Sequence, residues 1–105
     1  YYLPSVYFDF NKSFVTKANY QRLAVIANYL KANPGVNVDV IGNTDAVGTE
    51  SFNQNLSERR AKAVVKTLVN DFDIDESRLN AVGEGESNLA SKRNDINRRV
   101  EFRIK

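Results

Sequence analysis

The chain of 105 residues has the size of one domain, and its 42% hydrophobic and 27% charged residues are ordinary for a globular fold. Its 15 basic and 13 acidic residues leave a net charge of +2, too small for the broad positive field of non-specific nucleic-acid binding. Cys and His are absent, which excludes disulfides, thiolate metal sites and the commonest general base. No run approaches the roughly 20 apolar residues that span a bilayer. We therefore expect a single domain over residues 1–105, with no metal or cofactor.

Strand and helix signals alternate along the whole chain. Valines that alternate with polar residues over 36–40 are typical of a strand with one buried face. Thr16 can cap the first helix, and either Thr49 or Ser51, which also begins a capping box with Gln54, can cap the second. The predicted elements are a strand ending near Asp9, a helix over about 17–32, a strand over 36–40, a loop over 42–48, a long helix, a strand around 79–82, a turn over 83–86, a polar loop through Asn97 and a final strand over 100–105.

This order, β-α-β-α-β-β, predicts an α+β fold. Each helix must bury its apolar stripe against another layer of structure. We therefore expect a two-layer sandwich in which two main helices pack on one face of a four-stranded mixed sheet. Four aromatic side chains are expected in the core rather than on a stacking surface. They are Tyr7, Phe8, Phe10 and Phe102.

Five short motifs, none specific by itself, follow one another in a characteristic order. They are Phe8-Asp9-Phe10-Asn11, Gly42-Asn43-Thr44-Asp45 with Gly48, Phe52-Asn53 with Leu56-Ser57 and Arg60-Ala61, Gly83-Glu84-Gly85, and Asn97-Arg98-Arg99-Val100. Together they cover nearly the whole chain. With them the chain resembles the OmpA-like domain shared by outer-membrane porin-type proteins, peptidoglycan-associated lipoproteins and flagellar stator proteins.

The resemblance implies a non-enzymatic domain that binds peptidoglycan through the diaminopimelate of the peptide stem. It places the Asp that grips the ligand ammonium on Asp45 and the Arg that grips the carboxylate on Arg60. Further ligand contacts fall on Asn11, Thr44, Asn53, Leu56 and Arg98. The chain departs from the family at Asn43, where most members carry His. Asn can still form hydrogen bonds there, so we expect a local repacking.

The resemblance also implies a setting. The domain is expected to be the C-terminal part of a longer envelope protein, periplasmic and associated with the outer membrane of a Gram-negative bacterium. Its partner would be diaminopimelate-containing peptidoglycan, with contact to the membrane only through other parts of the parent protein and none to nucleic acid.

The chemistry of the residues agrees with this expectation. The end of the diaminopimelate side chain is a zwitterion, so its recognition needs one anion and one cation at a fixed separation. Arg suits the carboxylate because its planar guanidinium offers two parallel N–H donors. Asn53, Ser57 and Arg60 are spaced so as to share one face of the second helix, near the N-terminus that follows the Asp45 loop.

Each of these residues also has a purely structural interpretation. Asp45 and Arg60 could form an ion pair that ties a loop to a helix, and Asn11 and Asn53 could serve in turns or caps. Arg98 could be a charge flanking the last strand. These alternatives stay open on the sequence.

Two other functions fit the sequence less well. A glycan or peptide hydrolase would need a pair of carboxylates around a cleft or an activated nucleophile, and no motif supplies either. An RNA-binding sheet would carry a glycine-aromatic signature on its third strand, which is absent here.

Overall fold

The computed structural model describes residues 3–87, 89 and 94–105. Within them the strands are β1 (Val6–Tyr7), β2 (Val38–Gly42), β3 (Leu79–Gly83) and β4 (Arg99–Ile104). The α-helices are α1 (Tyr20–Ala32), α2 (Glu50–Phe72) and the short α3 (Asn94–Asn97), and 3-10 turns occupy Lys17–Asn19 and Glu76–Arg78. None of these helices is both long and apolar enough to cross a membrane.

The strands form one mixed sheet in the order β1-β4-β2-β3. β4 is antiparallel to both of its neighbours, with Val6 opposite Val100 and Val40 opposite Phe102. β2 and β3 are parallel, because α2 carries the chain back along the sheet between them. The predicted α+β sandwich, with two main helices on a four-stranded mixed sheet, is confirmed.

The core lies between the sheet and the two long helices. Alternation along β2 directs Val38 and Val40 toward the helices, where both are fully buried. The opposite face carries polar side chains beside the buried Ile41, and Asp39 there accepts a hydrogen bond from Asn80 at 3.1 Å and pairs with Lys105 at 3.4 Å. The helix side chains in the core are Leu23, Ile26, Ala27 and Leu30 of α1 and Ala61, Val64 and Leu68 of α2.

Several boundaries differ from those predicted. The first strand ends at Tyr7 rather than near Asp9, the second is displaced by two residues, and α3 interrupts the polar loop predicted before the last strand. The aromatic prediction holds for Phe8, which is 4% exposed, but is wrong for Phe10, which is 48% exposed. Phe8 continues the pairing of β1, because its N–H donates to the Arg98 carbonyl at 2.8 Å. Phe10 lies in the turn that follows, in which the Lys12 N–H donates to the Asp9 carbonyl at 3.0 Å, so it does not follow the alternation that buries a strand residue.

The start of α2 is fixed by Thr49, whose hydroxyl accepts a hydrogen bond from the Phe52 N–H at 3.2 Å. The alternative cap, Ser51, lies inside the helix, so its capping box with Gln54 is wrong. Below this turn α2 approaches the ends of β2 and β3 very closely. A Cβ on Gly42 would collide with the Ser57 carbonyl, and one on Gly83 with the Glu58 side chain. Only glycine permits this approach, which sets α2 directly over the sheet beside the predicted site.

Candidate functional site

The predicted ligand-binding residues gather where β1 and β2 end and α2 begins. Asp45 follows β2 and is 4% exposed. One of its carboxylate oxygens, Oδ1, accepts the Val47 N–H at 3.1 Å and so fixes the turn that leads to α2. The other, Oδ2, lies 3.5 Å from Nη1 of Arg98. One carboxylate oxygen of Asp45 is therefore fixed by the main chain, and the other is paired with Arg98 only at a long distance.

Arg60 lies deeper, with none of its side chain exposed. Its guanidinium donates from Nε to the Lys12 carbonyl at 2.8 Å, from Nη1 to the Asn43 carbonyl at 3.0 Å, and from Nη2 to the Asp9 carbonyl at 3.1 Å. It therefore ties the loop after β1 to the end of β2.

The environment of Arg60 is both apolar and charged. Its guanidinium carbon lies 5.3 Å from the centre of the Phe8 ring, within the range of a cation–π interaction. Burial lowers the pKa of Arg60 from 12.5 to about 10, although the Asp45 carboxylate acts in the opposite direction. The guanidinium is still charged at neutral pH, so Asp45 and Arg60 supply opposite charges to one end of the domain.

The ion pair of this region is not the one that the structural interpretation of the sequence suggested. Among the described residues, Asp45 pairs with Arg98 rather than with Arg60. Arg98 also donates from Nε to the Phe8 carbonyl at 3.0 Å, and its side chain is 19% exposed. Of the two arginines, Arg98 is thus the one that reaches the surface.

Asn53 and Thr44 shape the loop that carries Asp45. The Asn53 side-chain amide donates to the Asp45 carbonyl at 3.3 Å, to the Val47 carbonyl at 3.1 Å and to the Glu86 carboxylate at 3.0 Å. The Thr44 hydroxyl donates to the Asp45 carbonyl at 2.9 Å. Both side chains are buried, and both hold the loop together.

The two remaining predicted residues differ from each other in exposure. Leu56, in the second turn of α2, is 2% exposed. Asn11 is exposed and adopts a left-handed backbone with φ of 56°, a conformation that Asn tolerates better than most residues. It lies beside Lys12, whose carbonyl accepts from Arg60.

Asn43, which stands where the family usually has His, is completely buried. Its side-chain nitrogen has three acceptors, the Ile41 carbonyl at 3.1 Å, the Arg99 carbonyl at 3.4 Å and the Glu101 carboxylate at 3.4 Å. Its side-chain oxygen has no partner among the described residues. The Asn43 side chain is therefore a donor among acceptors, and the main-chain carbonyl of the same residue accepts from Arg60.

Two contacts from the turn after β3 support the site and were not predicted from the sequence. The Ser57 hydroxyl accepts the Gly85 N–H at 2.9 Å, and Glu86 accepts from Asn53. Gly85 has a φ of 56°, which favours glycine and turns the chain toward α2. The Gly83-Glu84-Gly85 motif was the available signal, since a pair of glycines after a strand indicates close backbone approach.

Cavities flank the site on both sides. One of about 410 Å³ reaches Phe8, Asp9 and Arg98 and extends beneath the first 3-10 turn. A smaller one of about 200 Å³ lies between the start of α2 and the turn after β3, where it is lined by Glu84 and Glu86. Of the described clefts, the one that adjoins a predicted ligand-binding residue is therefore on the Arg98 side.

Comparison with known proteins agrees with this architecture. The model of the OmpA family matches residues 7–103. Outer membrane porin F of Pseudomonas aeruginosa is 44% identical over 104 aligned positions, in an alignment that covers 94% of this chain and 30% of the porin. The peptidoglycan-associated lipoprotein of Pseudomonas putida is 39% identical over 106 aligned positions, in an alignment that covers 96% of this chain and 63% of the lipoprotein. The chain thus spans less than two thirds of these relatives.

A solved structure shows the same fold. The crystal structure of the peptidoglycan-associated lipoprotein from Burkholderia pseudomallei has a TM-score of 0.89 and 30% sequence identity, over 96% of this chain and 89% of that one. The two helices, the mixed sheet and the charged end of the domain define an OmpA-like α+β domain. The chain belongs to the OmpA family.

Proposed function

We propose that this domain binds cell-wall peptidoglycan without cleaving it, through the diaminopimelate of the peptide stem. The observation that carries the proposal is the Asp45 carboxylate with two arginines around it at one end of the sheet. Such an arrangement suits a small zwitterion. Membership of the OmpA family supports it, since relatives with up to 41% identity are named peptidoglycan-associated lipoproteins.

The ligand ammonium would take the place of Arg98 on Asp45. At 3.5 Å the Asp45–Arg98 contact is long for a charge-assisted hydrogen bond, so a closer cation has an advantage there. Arg98, once released, remains at the mouth of the site and is available to the ligand carboxylate. A guanidinium has five N–H donors, and the three bonds of Arg60 to carbonyls leave two. Because none of the Arg60 side chain is exposed, the loop after β1 would have to move for these two N–H groups to meet the same carboxylate.

We infer a binding module rather than an enzyme, because the chain offers no His, no Cys and no recognised nucleophile motif. We also infer that the domain faces the periplasm as part of an outer-membrane-associated protein of a Gram-negative bacterium. The names of the relatives, an outer membrane porin and a peptidoglycan-associated lipoprotein, support this placement.

Co-sedimentation with purified sacculi tests binding itself. We expect the domain to pellet with diaminopimelate-containing wall at low salt, while the turbidity of the wall suspension stays constant. Protein that remains in the supernatant would refute wall binding. A fall in turbidity would show hydrolysis instead.

Two isolated changes test the site. Asp45→Asn removes the charge but keeps an oxygen that can accept the Val47 N–H, so the loop is expected to survive. Loss of the partner of a desolvated charge costs about 2–5 kcal/mol, so binding should fall by more than about tenfold. Lys105→Ala, which removes an exposed charge at the far end of β4, is the control. Unchanged affinity in Asp45→Asn would mean that the ligand binds elsewhere.

Matched muropeptides test the ligand. A lysine stem keeps the distal ammonium for Asp45 but lacks the distal carboxylate proposed to meet Arg60 and Arg98. An unpaired buried polar group costs about 1–3 kcal/mol, so diaminopimelate stems should bind roughly ten- to a hundredfold more tightly. Amidation of the distal carboxylate should weaken binding for the same reason. If the domain still binds wall but binds diaminopimelate and lysine stems equally, the proposed contact between the distal carboxylate and the two arginines is excluded, while wall binding itself stands.

A further inference from the structure

The sheet has one edge without the usual protection. β3 lies at the end of the strand order and carries no charged residue and no proline over Leu79–Gly83. The opposite edge, β1, is only two residues long. Natural proteins commonly protect long edges with charges, prolines or bulges, because an open edge can pair with another chain. β3 is therefore the edge that offers a template for a further strand.

The open backbone groups of β3 can be identified from its pairing. Glu84 donates toward β2, to the Gly42 carbonyl at 3.0 Å, so alternate residues Asn80 and Val82 face the same way. The Gly83 carbonyl points to the other side, where the Gln54 side chain donates to it at 2.7 Å. By the same alternation the N–H and C=O of Ala81 face outward, and no hydrogen bond from the described residues reaches them.

A groove lies beside this edge on the helix side of the sheet. Leu79 and Ala81 lie opposite the buried Val38 and Val40 in the register, yet Leu79 is only half-buried and Ala81 is exposed. α2 therefore does not cover the outer part of the sheet. The space left, of about 490 Å³, is lined by Val65 and Val69 of α2 as well as by these two strand residues. Alternate side chains of an added strand would enter it.

The charges that line the groove indicate what kind of strand can bind there. Lys62 and Lys66 lie one helical turn apart along the groove, both are exposed, and neither forms an ion pair with a described residue. Two copies of this chain joined edge to edge at β3 would bring both lysine pairs into one interface, where like charges repel. Glu76 lines the groove near the start of β3, where its carboxylate would repel another acidic group. The acidic residues of an occupant are therefore expected beside the lysines.

We propose that β3 and the adjoining groove dock an extended acidic segment of a partner protein, which adds to the sheet as a fifth strand. Main-chain hydrogen bonds to Ala81 would supply affinity, and alternate apolar side chains in the groove together with carboxylates at Lys62 and Lys66 would supply selectivity. This surface is distinct from the Asp45 site, so the proposal does not depend on wall binding.

Two blocked octapeptides test the proposal, one alternating valine with glutamate and one alternating valine with lysine. Titration of the ¹⁵N-labelled domain should shift the amide signals of Ala81 and Gly83 with the glutamate peptide and slow hydrogen exchange at Ala81. The lysine peptide should bind at least about tenfold more weakly. Absence of any shift at β3 with the glutamate peptide would overturn the proposal.

Variants separate the edge from the charges. Ala81→Pro removes an N–H that no described residue uses, so the fold should persist while peptide binding is lost. Reversal of both groove lysines, Lys62→Glu with Lys66→Glu, should invert the preference between the two peptides. The matched reversal Lys17→Glu with Lys31→Glu, at exposed positions before and on α1, should leave it unchanged. Equal effects of the two reversals would show attraction by net charge alone and refute the site. Self-association abolished by Ala81→Pro would identify a second copy as the occupant instead.

Discussion

Arg60 is expected to stabilise the fold as well as to bind ligand. If Arg60 were only a ligand contact, Arg60→Ala would weaken binding and leave the fold intact. The contacts of the guanidinium predict otherwise, because it joins three main-chain carbonyls from two separate segments. Arg60→Ala should therefore lower both the free energy of unfolding and the affinity for the wall.

The size of the effect follows from the surroundings of each carbonyl. The bond to Asn43 is buried, and an acceptor left unpaired there costs about 1–3 kcal/mol. The bonds to Asp9 and Lys12 are partly buried, so water can replace the arginine at a loss of about 0.5–1.5 kcal/mol each. Removing a charge whose burial lowers its pKa to about 10 offsets part of this. We expect a net loss of about 2–3 kcal/mol.

Urea denaturation followed by circular dichroism measures this loss. With an m-value of about 1–3 kcal/mol/M, the midpoint should fall by about 1–2 M. Arg60→Lys keeps the charge but cannot reach three carbonyls with one ammonium, so its midpoint should lie between those of the alanine variant and the parent. Identical midpoints for the parent and Arg60→Ala would refute the structural role. Ligand binding should then be compared only where each variant is fully folded.

Two further predictions concern the stability of the fold. Gly42→Ala places a methyl group against the Ser57 carbonyl, so α2 must move off the sheet. We expect the free energy of unfolding to fall by about 3 kcal/mol or more in the same urea assay. Gly35→Ala is the control and should change it little, because nothing lies within 4 Å of that position. Tyr20 donates to Asp71 at 2.6 Å, and this hydrogen bond raises the pKa of Tyr20 above 10.0. Because the folded state holds the proton more tightly, its contribution should be present below pH 10 and lost as the pH rises through the raised pKa; Tyr20→Phe should abolish that part of the alkaline loss measured by thermal unfolding.

Periodicity predicted the fold because each main element has one continuous apolar face. The valines of β2 and the apolar positions of α1 could be assigned from the sequence, and both face the core. The end of β1 could not, because Phe8 and Phe10 have the same local preference and differ only in what packs above them. The sequence also could not decide between Thr49 and Ser51, because both residue types can cap a helix. The path of the loop that follows Asp45 makes Thr49 the cap.

The family motifs identified the residues around the site, but not how they pair. Asp45 could be matched to the family, whereas its contact with Arg98 depends on where β4 begins beside the end of β1, 53 residues further along the chain. The three acceptors of Arg60 are main-chain carbonyls, which carry no residue-type signal. The sequence therefore identified Arg60 as a ligand contact without showing that it also supports the fold. The predicted ligand contacts themselves stay predictions.

Asn43 offers a test of the layer beneath the site with almost no change in shape. Asn43→Asp replaces a donor that faces three acceptors by a carboxylate, one of those acceptors being Glu101. Burial and the neighbouring negative charge should raise the pKa of the new carboxyl, by about 3 units for a fully buried group. At 1.36 kcal/mol per unit this is a loss of about 4 kcal/mol at neutral pH. The protonated acid can donate as the amide does, so the variant should regain stability as the pH falls through the raised value. Urea midpoints measured from pH 4 to 8 should therefore approach those of the parent as the pH falls, because the difference disappears only near the unfolded-state pKa of about 3.9. A constant difference across this range would show that the Asn43 amide does not act as a buried donor.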